Sequence, residues 1–282
     1  MFNRVAIIGV GLIGGSFALA LRKHNMAQHI CGVVRSEGAG QRALQRGLVD
    51  EILPLEQAVA QADLVYISIP VDATLQVLQQ VLDAIPPTTV VTDAGSTKAA
   101  ICAAAAPHAQ RGRFVAAHPM WGTEYSGPDA AVPDAFTGRA CVICERERSD
   151  ADALEKVETI YKQIGMHLVY MDAGAHDMHA AYVSHISHIT SFALANTVLE
   201  KEREEETIFE LAAGGFESTV RLAKSNANMW VPIFMQNREH VLDVLNEHIS
   251  QLRKFKACLE KENEAYLHEL IANANKIGRI LK

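Results

Sequence analysis

Three side chains have the types and settings that proton transfer and carboxylate recognition require. His118 closes the apolar run that starts at Phe114 and is followed at once by Pro119, so a titratable imidazole sits where a buried strand stops. An uncharged imidazole there can serve as a general base near neutral pH. Ser96 closes an earlier run, Asp93-Ala94-Gly95-Ser96, with a hydroxyl. Arg221 stands between Ser218 and Ser225 at i+3 and i+4 helical spacing, after the pair Gly214-Gly215. A guanidinium beside hydroxyls can clamp a carboxylate through two parallel N–H bonds. The same residue reads equally as a solvated surface cation.

Two other clusters invite chemistry and are weighed against it. His176, His179, His185 and His188 fall in one helical stretch, 173–200. At about 100° per residue, the last three lie near 300°, 180° and 120° from His176. The pairs 176/179 and 185/188 then face opposite ways, one pair to a cleft and one to solvent, and no single metal ion takes all four. Cys141-Val-Ile-Cys144 is a lone CxxC in a strand-like segment, where i and i+3 point to opposite faces. Two ordinary strand cysteines are expected.

The elements that must position these groups begin at Arg4, where a short β-branched run ends in Gly9-x-Gly11-x-x-Gly14 and a helix follows. Strand, glycine fingerprint, helix is the context of a Rossmann-type dinucleotide site. Gly9, Gly11 and Gly14 shape it, and Leu12 and Ile13 open the helix whose N–H groups meet a pyrophosphate. The following strand, "HICGVVRS", ends on Val34, Arg35 and Ser36, with no acid for a ribose hydroxyl. A guanidinium and a hydroxyl suit a 2′-phosphate, so NADP is favoured over NAD. Further strands are expected at 63–70, 88–95 and 113–119, separated by helices at 72–84 and 97–106, giving α/β with a parallel sheet. Ile69 and Pro70 end one of these strands and are assigned to the cofactor site. Ligands bind at the carboxyl ends of such strands, which places His118 and Ser96 beside a nicotinamide.

From Ala173 helical periodicity takes over, and the chain is divided at 1–172, a dinucleotide-binding domain, and 173–282, a helical domain. Residues 235–281 read as one or two long helices with a packing stripe of Val241, Leu245, Ile249, Leu252 and Phe255. So much helix in a small domain points to a homodimer. The 282 residues are 49% hydrophobic and 21% charged with net charge −7, ordinary for a globular protein and without the basic footprint of nucleic-acid binding. The N-terminal apolar run has a leader-like outline, but its glycine spacing serves a dinucleotide site better. No run approaches a membrane span, and five cysteines without an export signal indicate a reducing compartment, the cytoplasm.

The segments "GVGLIGGS", "DAGSTK", "HPMWGTEYSGP", "SHISH" and "AAGGFESTVRLAKSNANMW" resemble the prephenate/arogenate (cyclohexadienyl) dehydrogenase family of tyrosine biosynthesis, in family order from Gly9 to Trp230. The resemblance implies an oxidative decarboxylation yielding 4-hydroxyphenylpyruvate, or tyrosine from arogenate. It implies His118 as catalytic histidine, with Ser96 bonded near the substrate hydroxyl, and Arg221 as carboxylate anchor. His188, Ser225 and Gly214 support the cleft. Glu124, Asp177 and Trp230 line or gate it, with Trp230 offered across a dimer.

Trp121 departs from the small residue expected after "HPM", and either reshapes the pocket or packs beneath the loop. No regulatory or fused mutase segment is expected after the helical domain. Two other readings share the fingerprint: a two-domain 3-hydroxyacid or imine reductase, which wants a catalytic Lys or acid from the helical half, and a non-catalytic NADP-binding sensor, which has no use for His118, Ser96 and Arg221 together.

Overall fold

The computed structural model describes residues 1–203 and 207–280. Its β-branched runs form eight strands: β1 (Phe2–Ile8), β2 (Ala27–Val33), β3 (Glu51–Ile52), β4 (Leu64–Ile67), β5 (Val90–Asp93), β6 (Phe114–Pro119), β7 (Ala140–Cys144) and β8 (His167–Met171). Between them lie helices α1 (Leu12–Lys23), α2 (Glu37–Gln45), α3 (Leu55–Ala60), α4 (Val71–Ala84), α5 (Ala99–Ala105) and α6 (Ala151–Gln163). The strands make one sheet in the order β3-β2-β1-β4-β5-β6-β7-β8. The first six run parallel, and the order reverses between β1 and β4.

The expected parallel sheet therefore holds for six strands but not throughout, because β7 runs antiparallel to β6 and β8 pairs parallel to β7. A chain that leaves β6 without a crossover helix can rejoin the sheet only in reverse. That reversal keeps residues 120–139 at the carboxyl end of β6, over the expected site.

Alternation along the strands sends Val5 and Ile7 to one face with Phe17, Tyr66 and Tyr161, and Ala6 and Ile8 to the other with Ile67, Leu78, Val91 and Ile101. Phe17 stacks on Tyr66 at 3.8 Å between ring centroids. Cys141 and Cys144 fall on opposite faces, both free and buried, and burial pushes both thiols up. The pair has no shared redox geometry.

The second half is helical: α7 (Ala173–Ala180), a π turn at Ala181–His185, α8 (Ile186–Glu202), α9 (Gly214–Val220), a 3-10 turn at Arg221–Lys224, α10 (Ala227–Gln236), α11 (Arg238–Glu260) and α12 (Glu264–Ala274). By packing, one compact unit spans Met1–Asn237 and a second Arg238–Lys282. Helices α7 to α10 fall within the first of these units. In the second unit Val241, Val244 and Cys258 are buried, whereas Leu252 of the expected stripe is exposed. Leu281, the end of that expected helical run, lies outside the described residues.

Candidate active site

The glycine run builds an anion cradle. Gly9 has φ +93°, in the left-handed region, and a Cβ there would stand 2.5 Å from the Ser68 carbonyl oxygen. A Cβ on Gly14 would meet the Gly9 carbonyl oxygen at 2.1 Å, so α1 reaches β1 this closely only without a side chain. Around Gly11, among the described residues, the space within 4 Å is open, and α1 starts there with no side-chain cap. Its free N–H groups suit a pyrophosphate. Leu12 and Ile13 form the first turn, Ile69 packs against Gly9, and Pro70 is the N-cap of α4. Past β2, Val34 is half-buried and Arg35 exposed, while Ser36 caps α2 by accepting the Ala39 N–H at 3.3 Å. These residues fit a dinucleotide.

All six residues of β6 are buried, and His118 is 9% exposed near its end. Its Nδ1 lies 2.8 Å from His176 Nε2, and His176 Nδ1 lies 2.8 Å from Asp177 Oδ1. Asp177 also accepts the backbone N–H groups of Lys98 (2.7 Å) and Ala99 (2.9 Å), capping α5 from α7. Burial first, then the neighbouring His176, Lys98 and His185, holds His118 well below the ordinary histidine range, so its ring is neutral. Burial lowers His176 as well, against the pull of Asp177. For Asp177, burial pulls the carboxyl up, but the bonds from His176, Ala99 and Lys98 outweigh it and the carboxyl is lowered.

Lys98 is fully buried, ion-paired with Asp93 and donating to the Ala117 carbonyl oxygen at 2.8 Å. Asp93 accepts the N–H groups of Gly95 (2.8 Å) and Ala117 (3.2 Å). This pair ties the end of β5, which leads into half-buried Ser96, to the residue before His118.

The Arg221 side chain reaches the loop that leaves His118. Arg221 is half exposed, and its Nη1 lies 2.7 Å from Glu124 Oε2. The backbone N–H at Glu124, ahead of Arg221, holds that carboxyl below the usual range against some desolvation. His188 donates Nδ1–H to the Ser184 carbonyl oxygen at 3.0 Å and stacks on Trp230 at 3.5 Å between centroids. Burial lowers the His188 ring against the opposing pull of the Ser184 carbonyl, and the charge of Arg221 adds a smaller lowering.

Asp177 is buried, with its carboxylate committed to His176 and two backbone N–H groups. Trp230 is 6% exposed and packs on its own chain's His188, His185 and Phe234. Several expectations need correction. Ser218, Arg221 and Ser225 share no helical face, because α9 stops at Val220, a 3-10 turn follows and Ser225 is extended. Gly214 is exposed at the start of α9. The histidines do not divide as 176/179 against 185/188: His176 and His185 are buried, His188 half-buried and His179 exposed. The π turn at Ala181–His185 advances fewer degrees per residue than an α-helix and swings His185 back towards the His176 side. Trp121 packs edge-on against Phe136, beneath the loop.

The residues passed over by sequence reasoning are His176 as the partner of His118, and Lys98 with Asp93. The "DAGSTK" segment contained the signal for the second, an acid and a lysine at two ends of one strand-exit loop, but nothing in spacing marks a lysine as buried.

A dinucleotide cradle at the sheet's switch point, with a neutral buried histidine three strands along the same sheet at the end of β6, defines a nicotinamide-dinucleotide-dependent dehydrogenase. The family model described as prephenate dehydrogenase, nucleotide-binding domain, matches residues 17–170, and that described as prephenate dehydrogenase, dimerization domain, matches 172–273. The chain belongs to the prephenate dehydrogenase family. It is 30% identical to the prephenate dehydrogenase of Bacillus subtilis over 97% of this chain and 75% of that one. It is 29% identical to the cyclohexadienyl dehydrogenase of Zymomonas mobilis, covering 100% of this chain and 97% of that one. The crystal structure of prephenate dehydrogenase from A. aeolicus in complex with hydroxyphenyl propionate and NAD+ superposes with TM-score 0.90 at 29% identity, over 99% of this chain and 98% of that one.

Proposed function

We propose that this chain oxidises and decarboxylates prephenate, arogenate or both, giving 4-hydroxyphenylpyruvate or tyrosine, with NADP preferred over NAD. The observation that carries the reading is the buried, neutral His118 at the end of β6, with Arg221 bonded to Glu124 on the loop leaving it. Bound in the glycine cradle, the nicotinamide dinucleotide supplies the two-electron acceptor for the hydrogen on the hydroxyl-bearing ring carbon. His118 takes the hydroxyl proton as that carbon becomes a carbonyl. Loss of the ring carboxylate as CO2 leaves its bonding pair in the ring, which becomes aromatic, and the resulting phenolate reclaims the proton. Arg221 exchanges Glu124 for a substrate carboxylate, and Ser96 lies one strand from the base to bond the reacting hydroxyl. His188, Ser225 and Gly214 border the recognition end.

The preference for NADP rests on exposed Arg35 beside Ser36 and on the missing acid. Homodimerisation is supported by the description of the second family model and by exposed Val231 and Met235 on α10. No helix among the described residues is long and apolar enough to cross a membrane, and the five free, buried cysteines fit the reducing cytoplasm.

The test is a turnover assay with prephenate and with arogenate, each with NAD+ and NADP+, followed by the absorbance of the reduced nicotinamide. Silence in all four combinations from folded protein refutes the reading. Val34→Asp with Arg35→Ile should move the preference to NAD+; an unchanged ratio removes Arg35 from the cofactor site.

A further inference from the structure

His118 can be a base through only one of its two nitrogens, and the residues behind it decide which. Asp177 Oδ1 receives the Lys98 N–H and Oδ2 the Ala99 N–H. Backbone N–H groups can only donate, so both oxygens act as acceptors, and these bonds together with that from His176 hold the carboxyl below its ordinary range against burial, so it is ionised. An ionised carboxylate has no proton to give, so His176 Nδ1, 2.8 Å from Oδ1, must carry the hydrogen of that bond. A neutral His176 then has its lone pair on Nε2. His118 Nδ1 lies 2.8 Å from that lone pair, so it too must carry the hydrogen. The lone pair of neutral His118 is left on Nε2, for which no hydrogen-bond partner occurs among the described residues.

We propose that Asp177 and His176 are positioning residues that hold His118 in its Nδ1–H form, so that Nε2 is the atom that accepts the substrate proton. This rests on His118 being the base of the reaction above and adds which atom acts and why. Each polarity in the chain follows from the one behind it, starting at two donors that cannot be reversed. The same arrangement stabilises the product of proton transfer. Once Nε2 is protonated, the imidazolium keeps its Nδ1–H directed at His176, with the Asp177 carboxylate one ring further on. The remaining charged or titratable groups facing His118 are Lys98, from the segment before α5, and His185, from the π turn. Lys98 is tied to Asp93. Neither offers His118 Nδ1 an alternative acceptor.

The backbone of Asp177 is held as well. The Asn237 amide donates to the Asp177 carbonyl oxygen at 2.6 Å and meets His185 Nδ1 at 3.1 Å, with Asn237 itself buried. The segment that carries both positioning residues is thus pinned at its end. A solvent-exposed carboxylate chosen merely to stabilise a helix would not be built this way.

The proposal is tested first on the unmodified enzyme, without substrate. Long-range proton–nitrogen correlation NMR of histidine-labelled protein separates Nδ1–H from Nε2–H imidazole, and His118→Asn assigns the signal. The expected form is Nδ1–H; finding Nε2–H overturns the proposal whatever the enzyme's substrate. Second, His176→Leu removes the acceptor, and kcat should fall by roughly 10²-fold or more with KM little changed. For comparison, in the serine protease triad the wrong tautomer costs about 10⁴-fold. His176→Gln, which can return an oxygen acceptor to His118 Nδ1–H, should recover part of that loss. A His176→Leu enzyme with wild-type kcat, or equal losses in the Leu and Gln variants with both proteins folded, refutes the positioning role and leaves the dehydrogenase reading standing. Absence of turnover with either substrate in the wild type would refute that reading instead, and the NMR result would still decide the tautomer.

Discussion

Replacing Lys98 with methionine would leave Asp93 charged in a site that water does not reach. Both side chains of the pair are 0% exposed, and the carboxylate would keep only the N–H groups of Gly95 and Ala117. Removing one partner of a buried ion pair costs about 3–5 kcal/mol, far more than a surface pair contributes. At about 2–4 °C per kcal/mol for a protein of this size, the apparent Tm should drop by roughly 6–20 °C. Adding Asp93→Asn should restore most of the loss, because a buried pair replaced by uncharged groups of similar volume is often neutral in stability. Thermal melts followed by circular dichroism, with urea titrations beside them, measure all three proteins. If Lys98→Met melts within about 2 °C of wild type, or the double variant is no better than the single, Asp93 is not stranded and the reasoning fails.

Other outcomes follow from the same geometry. His118→Asn should lower kcat by about 10²–10⁴-fold, the usual contribution of a general base, with substrate KM preserved; near-normal turnover in folded protein would remove the base. Arg221→Gln should raise KM more than it lowers kcat, since a carboxylate held in ground and transition states alike is lost from both; steady-state kinetics with an unchanged KM would place Arg221 outside the site. Lys98→Met should also move the acid limb of kcat/KM to higher pH, because the Lys98 charge is among the causes that depress His118; an unmoved limb would show that this charge is not felt. His185, pushed down to about 4 chiefly by burial, binds fewer protons folded than unfolded. Its contribution is therefore complete above the ordinary value of about 6.5 and is lost as pH falls towards 4, up to roughly 3 kcal/mol. Urea midpoints across that window should fall with pH, and less steeply in His185→Gln; a flat profile in the wild type would contradict the assignment.

The dinucleotide half was legible because its signals are local. Gly9 must be a glycine for its φ, Gly14 for its contact with the Gly9 carbonyl, and both lie within one strand–turn–helix stretch. His118 was legible because an imidazole followed by proline breaks an apolar run. β3 and β8 escaped because one is two residues long and the other is half-exposed, without a continuous apolar run. The partnership of His118 with His176 joins positions 58 apart and depends on where α7 starts, which no periodicity encodes. The π turn defeated the angular sorting of the histidines because a constant advance per residue was assumed across it. Ser225 was misjudged for a related reason: helical spacing was extended through Ser218 and Arg221 past the point where the helix ends.

The antiparallel return of β7 has a consequence for how such an enzyme can diverge. Paired with both β5 and β7, the strand bearing His118 is stitched into the same sheet that carries the glycine cradle. Arg221 rides instead on a four-residue 3-10 turn between two short helices. On the role proposed for Arg221, substitutions there would change how a substrate carboxylate is held while the strand bearing His118 is left as it was. Under that proposal, taste for substrate and competence for oxidation would be inherited separately.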